Sequence, residues 1–171
     1  MLRWHGAARN LSAPYIPIVT TQHALSRHLE AVAEADVPPR SWAVLTAAAD
    51  RIAETLFPTR LVGLRIVGAG AIRELNRSYR CVDEPTDVLS FPADDATASH
   101  AGDVALCWDA AVAQARANGN AAEAEALALI AHGMLHLAGF DHPDAAGQEE
   151  MDRRTRELCC QAGYEVSIFG H

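Results

Sequence analysis

The residues best suited to chemistry lie in the last third of the chain, between His132 and His142. Three histidines, His132, His136 and His142, fall within these eleven residues. Side chains four residues apart on a helix lie on one face, one turn apart, so His132 and His136 can reach a common ligand. Gly139 can adopt the left-handed conformation that ends a helix and reverses the chain. We therefore expect His142 to turn back towards the first two histidines.

Three converging imidazoles predict a metal centre. Neutral histidine is a common zinc ligand, and three protein ligands leave a tetrahedral ion one open position, as in catalytic zinc sites. The alternative is that these are core histidines satisfied by hydrogen bonds. Leaving each imidazole buried and unpaired would cost about 1–3 kcal/mol, and a bound metal would remove that cost. The four cysteines show no CxxC spacing, which disfavours a cysteine zinc knuckle. The pattern favours one zinc ion per chain, at the end of a buried helix.

The spacing HxxxHxxGxxH matches the zinc-binding helix and turn of metzincin peptidases. In those enzymes the residue after the first histidine is the glutamate that acts as general base, and here that position is Gly133. Without this carboxylate the base for peptide hydrolysis is missing. No other protein base is evident, so we expect the metal itself to lower the pKa of water towards about 7.

A cluster of arginines gives a second candidate feature. Every basic residue is an arginine in this chain of net charge −8, yet the segment from Phe57 to Val82 has five arginines and a single acid. Arg73, Arg77 and Arg80 have the i, i+4, i+7 spacing of one helix face. The planar guanidinium suits phosphate, and a local positive potential can hold a phosphate chain on an acidic protein. The competing interpretation is an ordinary solvated helix face.

Length and composition indicate one globular domain that positions these groups. The chain has 171 residues, of which 50% are hydrophobic and 21% charged. No apolar run approaches the roughly 20 residues of a membrane span, so no membrane association is predicted. Met1–Pro14 lacks the apolar core of a secretory signal. We expect residues 1–14 to be a ragged tail, residues 15–169 to be a single domain, and the protein to be cytoplasmic.

Hydrophobic periodicity predicts an α+β fold, with a small mixed sheet of about four strands packed with about six helices. The predicted strands are Tyr15–Thr20, Leu61–Val67, Val88–Phe91 and Val104–Cys107. The predicted helices are Gln22–Ala35, Ser41–Leu56, Ile72–Tyr79, Trp108–Asn118, Ala121–Leu137 and Asp144–Ala162. Ser41 and Asp144 are the expected N-caps of their helices, and Pro92–Gly102 is expected to be a loop.

Three separate motifs resemble the YbeY family, the single-strand-specific endoribonucleases of bacterial ribosomal RNA maturation. They occur in the family's order and spacing, and the resemblance covers about Tyr15 to Phe169. The first motif joins LNRSYR (75–80) to PTDVLSFP (85–92). The second is GDV (102–104), and the third is the histidine run 132–142. The chain departs from the family pattern in its first fourteen residues and in the weakly hydrophobic loop Ala93–Ala101.

The resemblance implies a zinc-dependent endoribonuclease that acts in 16S ribosomal RNA 3′-end processing and in ribosome maturation and quality control. It implies His132, His136 and His142 as zinc ligands. It also implies that Arg80 is the family's functional arginine, which we expect to bind the scissile phosphate and stabilise its developing charge. Implied partners are single-stranded and ribosomal RNA, the small ribosomal subunit and assembly factors, but not DNA.

Other site residues are weaker candidates. Arg73 and Arg77 are expected to contact the RNA backbone, and Asp141 either orients a metal-bound imidazole or caps a turn. Two other functions stay open. One is a ribosome-assembly RNA-binding factor whose zinc is mainly structural, and the other is a metal hydrolase of another substrate, with Gly133 arguing against peptides.

Overall fold

A computed structural model describes residues 21–94 and 99–167. The expected tail 1–14 and the predicted strand Tyr15–Thr20 lie outside these ranges. The described chain forms five strands: β1 (Gln22–Leu25), β2 (Leu29–Ala33), β3 (Leu61–Val67), β4 (Val88–Pro92) and β5 (His100–Cys107). It also forms five helices: α1 (Pro39–Leu56), α2 (Ala69–Arg80), α3 (Trp108–Asn118), α4 (Ala122–Leu137) and α5 (Ala145–Gln161). None of these helices is both long and apolar enough to cross a membrane.

The strands make one mixed sheet in the order β1-β2-β3-β5-β4. The outer pairs β1/β2 and β4/β5 are antiparallel, whereas β2/β3 and β3/β5 are parallel. Helix α4 packs against β4 and β5 on one face of the sheet and is surrounded by α1, α3 and α5. A smaller apolar cluster joins α2 to the other face through Ile72, Leu75, Leu89 and Phe91. This architecture confirms the predicted α+β class.

Helix α4 is buried along most of its length because its residues are apolar on nearly every side. Leu127, Ile130 and Met134 are fully buried. Gly133 faces the sheet, where an added Cβ would lie 3.0 Å from Val104 Cγ1 and 3.1 Å from Ser90 Oγ. The Ser90 hydroxyl donates a hydrogen bond of 3.0 Å to the Gly133 carbonyl. The absence of a side chain at Gly133 therefore lets α4 approach β4 closely.

The prediction of a helix over Gln22–Ala35 is wrong, because this segment forms the hairpin β1–β2. Its apolar residues fit a helical stripe, but in β2 they alternate, with Leu29, Ala31 and Ala33 buried. The Ser26 hydroxyl accepts hydrogen bonds from the backbone N–H groups of His28 and Leu29, which forms the turn. Pairing of β2 with the distant strand β3 then stabilises the extended conformation.

Smaller corrections concern the ends of elements. Helix α1 begins at Pro39 rather than after a Ser41 N-cap, and the buried Ser41 hydroxyl instead donates to Glu123 Oε1. Strand β5 begins at His100, inside the segment predicted as a loop. The N-cap prediction for Asp144 is confirmed, since its side chain accepts a hydrogen bond from the Gly147 N–H.

Candidate functional site

The end of α4 brings the three histidines together. After Leu137 the chain turns through Ala138 and Gly139, whose φ of 89° is left-handed. The N–H of Gly139 donates to the His136 carbonyl and the N–H of Phe140 donates to the Leu135 carbonyl. This hydrogen-bond pair is the Schellman arrangement that closes a helix with a reversal of the chain. The reversal returns His142 towards the helix, as the position of Gly139 predicts.

The imidazoles of His132, His136 and His142 converge. Their potential ligand atoms all lie within 4.8 Å of one another, and the Nε2 atoms of His132 and His136 are 3.1 Å apart. Within residues 21–94 and 99–167, no other group of three histidine, cysteine or acidic side chains comes this close. All three side chains are partly buried, so a bound ion would remain open to the cleft on one side.

Burial and neighbouring rings favour the neutral form of His132 and His136. Burial, followed by the proximity of His136 and His142, lowers the pKa of His132 to about 4. Burial, and then His142, also lowers the pKa of His136. Neutral imidazole is the form that binds a metal. The donor type, the convergence of the three rings and the lowered pKa values of His132 and His136 all fit a divalent ion such as zinc.

A cleft of about 660 Å³ lies over the three histidines. Its walls come from Arg80 at the end of α2, from strand β4 and the residues just before it, and from the turn that follows α4. Arg80 ends its helix beside Cys81, which adopts a left-handed conformation with a φ of 59°. No ion pair or hydrogen bond joins Arg80 to the rest of the described chain, so its guanidinium is available to a ligand in the cleft.

The other two arginines of α2 are differently placed. Arg73 forms an ion pair of 3.0 Å with Asp83, and Arg77 forms one of 2.6 Å with Glu74. These four side chains are about half exposed, and none of them lines the cleft. The common helix face predicted from spacing exists, but only Arg80 extends to the histidines.

Asp141 lies at the reversal of the chain, where it bonds to the backbone. Its Oδ1 accepts a 2.9 Å hydrogen bond from the backbone N–H of His142. No hydrogen bond connects its carboxylate to an imidazole within the described ranges. The geometry matches the turn-capping alternative, in which Asp141 fixes the loop that delivers the third histidine.

Ser90 and Asp87 also line the cleft, although neither is among the site residues predicted from the sequence. Ser90 joins the floor of the cleft to α4 through the Gly133 carbonyl. Burial opposes ionisation of Asp87, but hydrogen bonds from Gln114, the Val88 N–H and Thr86 outweigh it and lower the pKa of this carboxyl. The sequence feature that could have identified them is the PTDVLSFP motif, which contains both residues.

Comparison with known proteins decides the family. The family model described as endoribonuclease YbeY matches residues 38–163. The chain belongs to the YbeY family. The resemblance of the three motifs is thus confirmed over most of the chain.

Curated relatives named endoribonuclease YbeY agree with this assignment. The Roseiflexus castenholzii protein is 36% identical over 143 residues, which cover 75% of this chain and 89% of that one. The Pseudomonas entomophila protein is 37% identical over 144 residues, covering 82% and 88% of the two chains. The match to a relative from Roseiflexus sp. is 44% identical over 105 residues and spans 56% of this chain and 65% of that relative.

A solved structure shares the fold. The solution structure of TM1509 from Thermotoga maritima superposes with a TM-score of 0.53 at 26% sequence identity. The superposition covers 78% of this chain and 89% of that protein. Membership of the YbeY family therefore rests on sequence, and the solved structure shows that the fold is shared with a known protein.

Proposed function

We propose that this chain is a zinc-dependent endoribonuclease that cleaves single-stranded RNA. The observation that carries the proposal is the cleft itself, where Arg80, which has no ion-pair partner among the described residues, lines the same space as three converging histidines. Proteins of the same family carry the name endoribonuclease. A phosphodiester supplies the anionic group that this combination of a cation and a Lewis-acid site would bind.

In the proposed mechanism the chain supplies geometry and charge. When bound, zinc would act as a Lewis acid and lower the pKa of water. His132, His136 and His142 would hold it as neutral ligands, and the Schellman turn fixes the third ligand relative to the first two. Arg80 would bind the non-bridging phosphate oxygens through its planar guanidinium and stabilise the charge that develops on them during cleavage.

Arg73 and Arg77 would extend the contact along the RNA backbone. Their ion pairs with Asp83 and Glu74 are exposed, and such surface pairs contribute only about 0–1 kcal/mol. A phosphate can therefore replace either carboxylate at little cost. These two arginines would add affinity and salt dependence, whereas Arg80 would act at the bond that is cleaved.

The packing at Gly133 disfavours the peptidase alternative. In the metzincin pattern a glutamate at this position is the general base. Here even a Cβ would contact Val104 and Ser90 at about 3.0–3.1 Å, because the backbone of α4 lies against the sheet. Close packing around Gly133 leaves no room for the side chain of a general base.

We extend the proposal to ribosomal RNA as the substrate, with 16S 3′-end processing, ribosome maturation and quality control as the cellular role. The small ribosomal subunit and its assembly factors are the proposed partners, residues 15–169 the proposed domain and the cytoplasm the proposed location. Support for these finer statements comes from the three motifs that resemble the family.

Metal analysis combined with an RNA cleavage assay tests the proposal. We expect about one zinc ion per chain, cleavage of a single-stranded RNA but not of the same sequence in a duplex, loss of cleavage with a chelator, and recovery when zinc is added back. Cleavage that survives complete removal of metal would refute the zinc-dependent mechanism. Tight RNA binding with bound zinc and no cleavage would instead support the assembly-factor alternative.

A further inference from the structure

A second cavity lies beside the metal cleft, in the region where α4 meets α5. It has a volume of about 250 Å³ and is lined by residues of α3, α4 and α5, by the start of β4, and by Ser167. Asp87, Val88 and His132 line both this cavity and the cleft. The first histidine of the cluster therefore contacts both spaces.

The two ring nitrogens of His132 have different surroundings. Its Nε2 lies 3.1 Å from Nε2 of His136, on the side where the three rings converge. Its Nδ1 makes no hydrogen bond with any part of the chain that the structure describes. A metal-binding histidine nearly always donates its second N–H to a carboxylate, a carbonyl or a water molecule. An acceptor for Nδ1–H is therefore required when Nε2 binds a metal.

The second cavity offers such an acceptor. Asp152 of α5 lines it together with His132, and its Oδ1 accepts a hydrogen bond of 2.8 Å from Gln148. The other two carboxylates on the wall, Asp87 and Glu125, already accept hydrogen bonds on both oxygens. The buried hydroxyl of Thr155, one turn after Asp152, has no hydrogen-bond partner among residues 21–94 and 99–167. This wall thus holds polar groups that the protein does not fully satisfy.

A water molecule can connect Asp152 to His132. No direct hydrogen bond joins the two side chains, and a polar contact beyond about 3.5 Å calls for a bridging water. The cavity is large enough for several water molecules at roughly 30 Å³ each. The carboxylates do not form a cation site, because in the described parts of the chain only the three histidines bring ligand atoms together.

We propose that Asp152 is a positioning residue for His132, accepting the Nδ1–H of this ring through a water molecule in the second cavity. The interaction orients the imidazole so that Nε2 points at the metal, and it increases the basicity of the ligand. Burial has the largest effect on the pKa of His132 and lowers it, whereas the negative charges of Asp87 and Asp152 both raise it. This inference rests on the proposed zinc site and assigns Asp152 the orienting role that the sequence suggested for Asp141.

Zinc affinity of the variant Asp152→Asn tests this role, measured by competition with a chromophoric chelator. We expect zinc to bind at least tenfold more weakly, since loss of such a partner commonly costs 10–100-fold in metal affinity. Glu149→Gln is the matched control, because it removes the same charge from an exposed position of α5 that does not line the cavity. The melting temperature of the metal-free protein should be similar in all variants. Asp152→Glu should recover most of the affinity.

Equal zinc affinity in Asp152→Asn and Glu149→Gln would overturn the inference. Failure of the wild-type chain to bind zinc would instead refute the proposed metal site, so the two failures are distinguishable. If Asp152→Asn does not fold, ring-nitrogen NMR of the zinc-loaded wild type decides the question. We expect His132 to carry its proton on Nδ1 and the metal on Nε2, and the reverse assignment would contradict the role of Asp152.

Discussion

Helices α4 and α2 both contribute to the cleft, but they hold their side chains in opposite ways. Helix α4 is buried on nearly all sides, so its histidines cannot move without disturbing the core. Only Ile72, Leu75 and Asn76 of α2 are buried, and its arginines project from an exposed face. A metal requires ligands fixed in position, whereas an RNA backbone requires charges that can adapt. The difference in burial matches the two proposed tasks.

The most damaging change should be loss of a histidine from the buried helix α4. His132→Ala or His136→Ala leaves two imidazoles, which seldom hold zinc tightly, so we expect bound metal and RNA cleavage both to be lost. Metal analysis of the purified variants checks this, and His23→Ala, an exposed histidine of β1, is the control. A metal content near one per chain in either variant would contradict the site assignment.

Arg80→Ala should have the next largest effect. We expect zinc and fold to be kept while single-turnover cleavage falls about 100-fold or more, because a group that stabilises transition-state charge is removed. Arg80→Lys restores the charge without the planar fork and should recover only part of the rate. Near-normal turnover combined with a lower melting temperature would show that Arg80 has a structural role.

A change at Gly133 tests the rigidity of α4 itself. Gly133→Ala places a Cβ about 3.0–3.2 Å from Val104, Ser90 and Val88. Such overpacking typically costs about 1–3 kcal/mol, which should appear in chemical denaturation as a lower free energy of unfolding. Gly133→Glu should be more destabilised and should show no peptidase activity. Chelator-sensitive casein cleavage by Gly133→Glu would contradict our account of this position.

The smallest effects should come from the two ion-paired arginines of α2. Arg73→Ala and Arg77→Ala each remove one exposed charge, so we expect RNA binding to weaken a few-fold and its salt dependence to flatten slightly. Turnover at saturating RNA should be close to that of the wild type. Titrations at several salt concentrations measure this, and a loss of turnover as large as that of Arg80→Ala would abolish the distinction among the three arginines.

Local patterns were sufficient to predict much of this molecule. Strand Leu61–Val67 and helix Trp108–Asn118 form with the predicted bounds, because each has a strong period and clear ends. The convergence of the histidines also follows from local chemistry, since one helix and one glycine turn contain all three. These features need no information about distant parts of the chain.

Features that depend on distant segments were not predicted. The hairpin β1–β2 owes its conformation to pairing with β3, so its local helical stripe was misleading. The ion pair of Arg73 with Asp83 depends on how the loop after α2 folds back. Asp152 approaches His132 only because α5 packs beside α4, and no spacing in the sequence signals that contact.

The closeness of the three histidines along the chain has a consequence for folding kinetics. Helix α4 and its closing turn contain all three, whereas Arg80 is separated from them by two strands and a helix. Short loops close faster and at lower entropic cost than long ones. We therefore expect a refolding chain to bring the three histidines together before α2 docks on the sheet and places Arg80 at the cleft. Metal uptake would then precede nuclease activity during refolding, and a partly folded chain would hold metal without cleaving RNA.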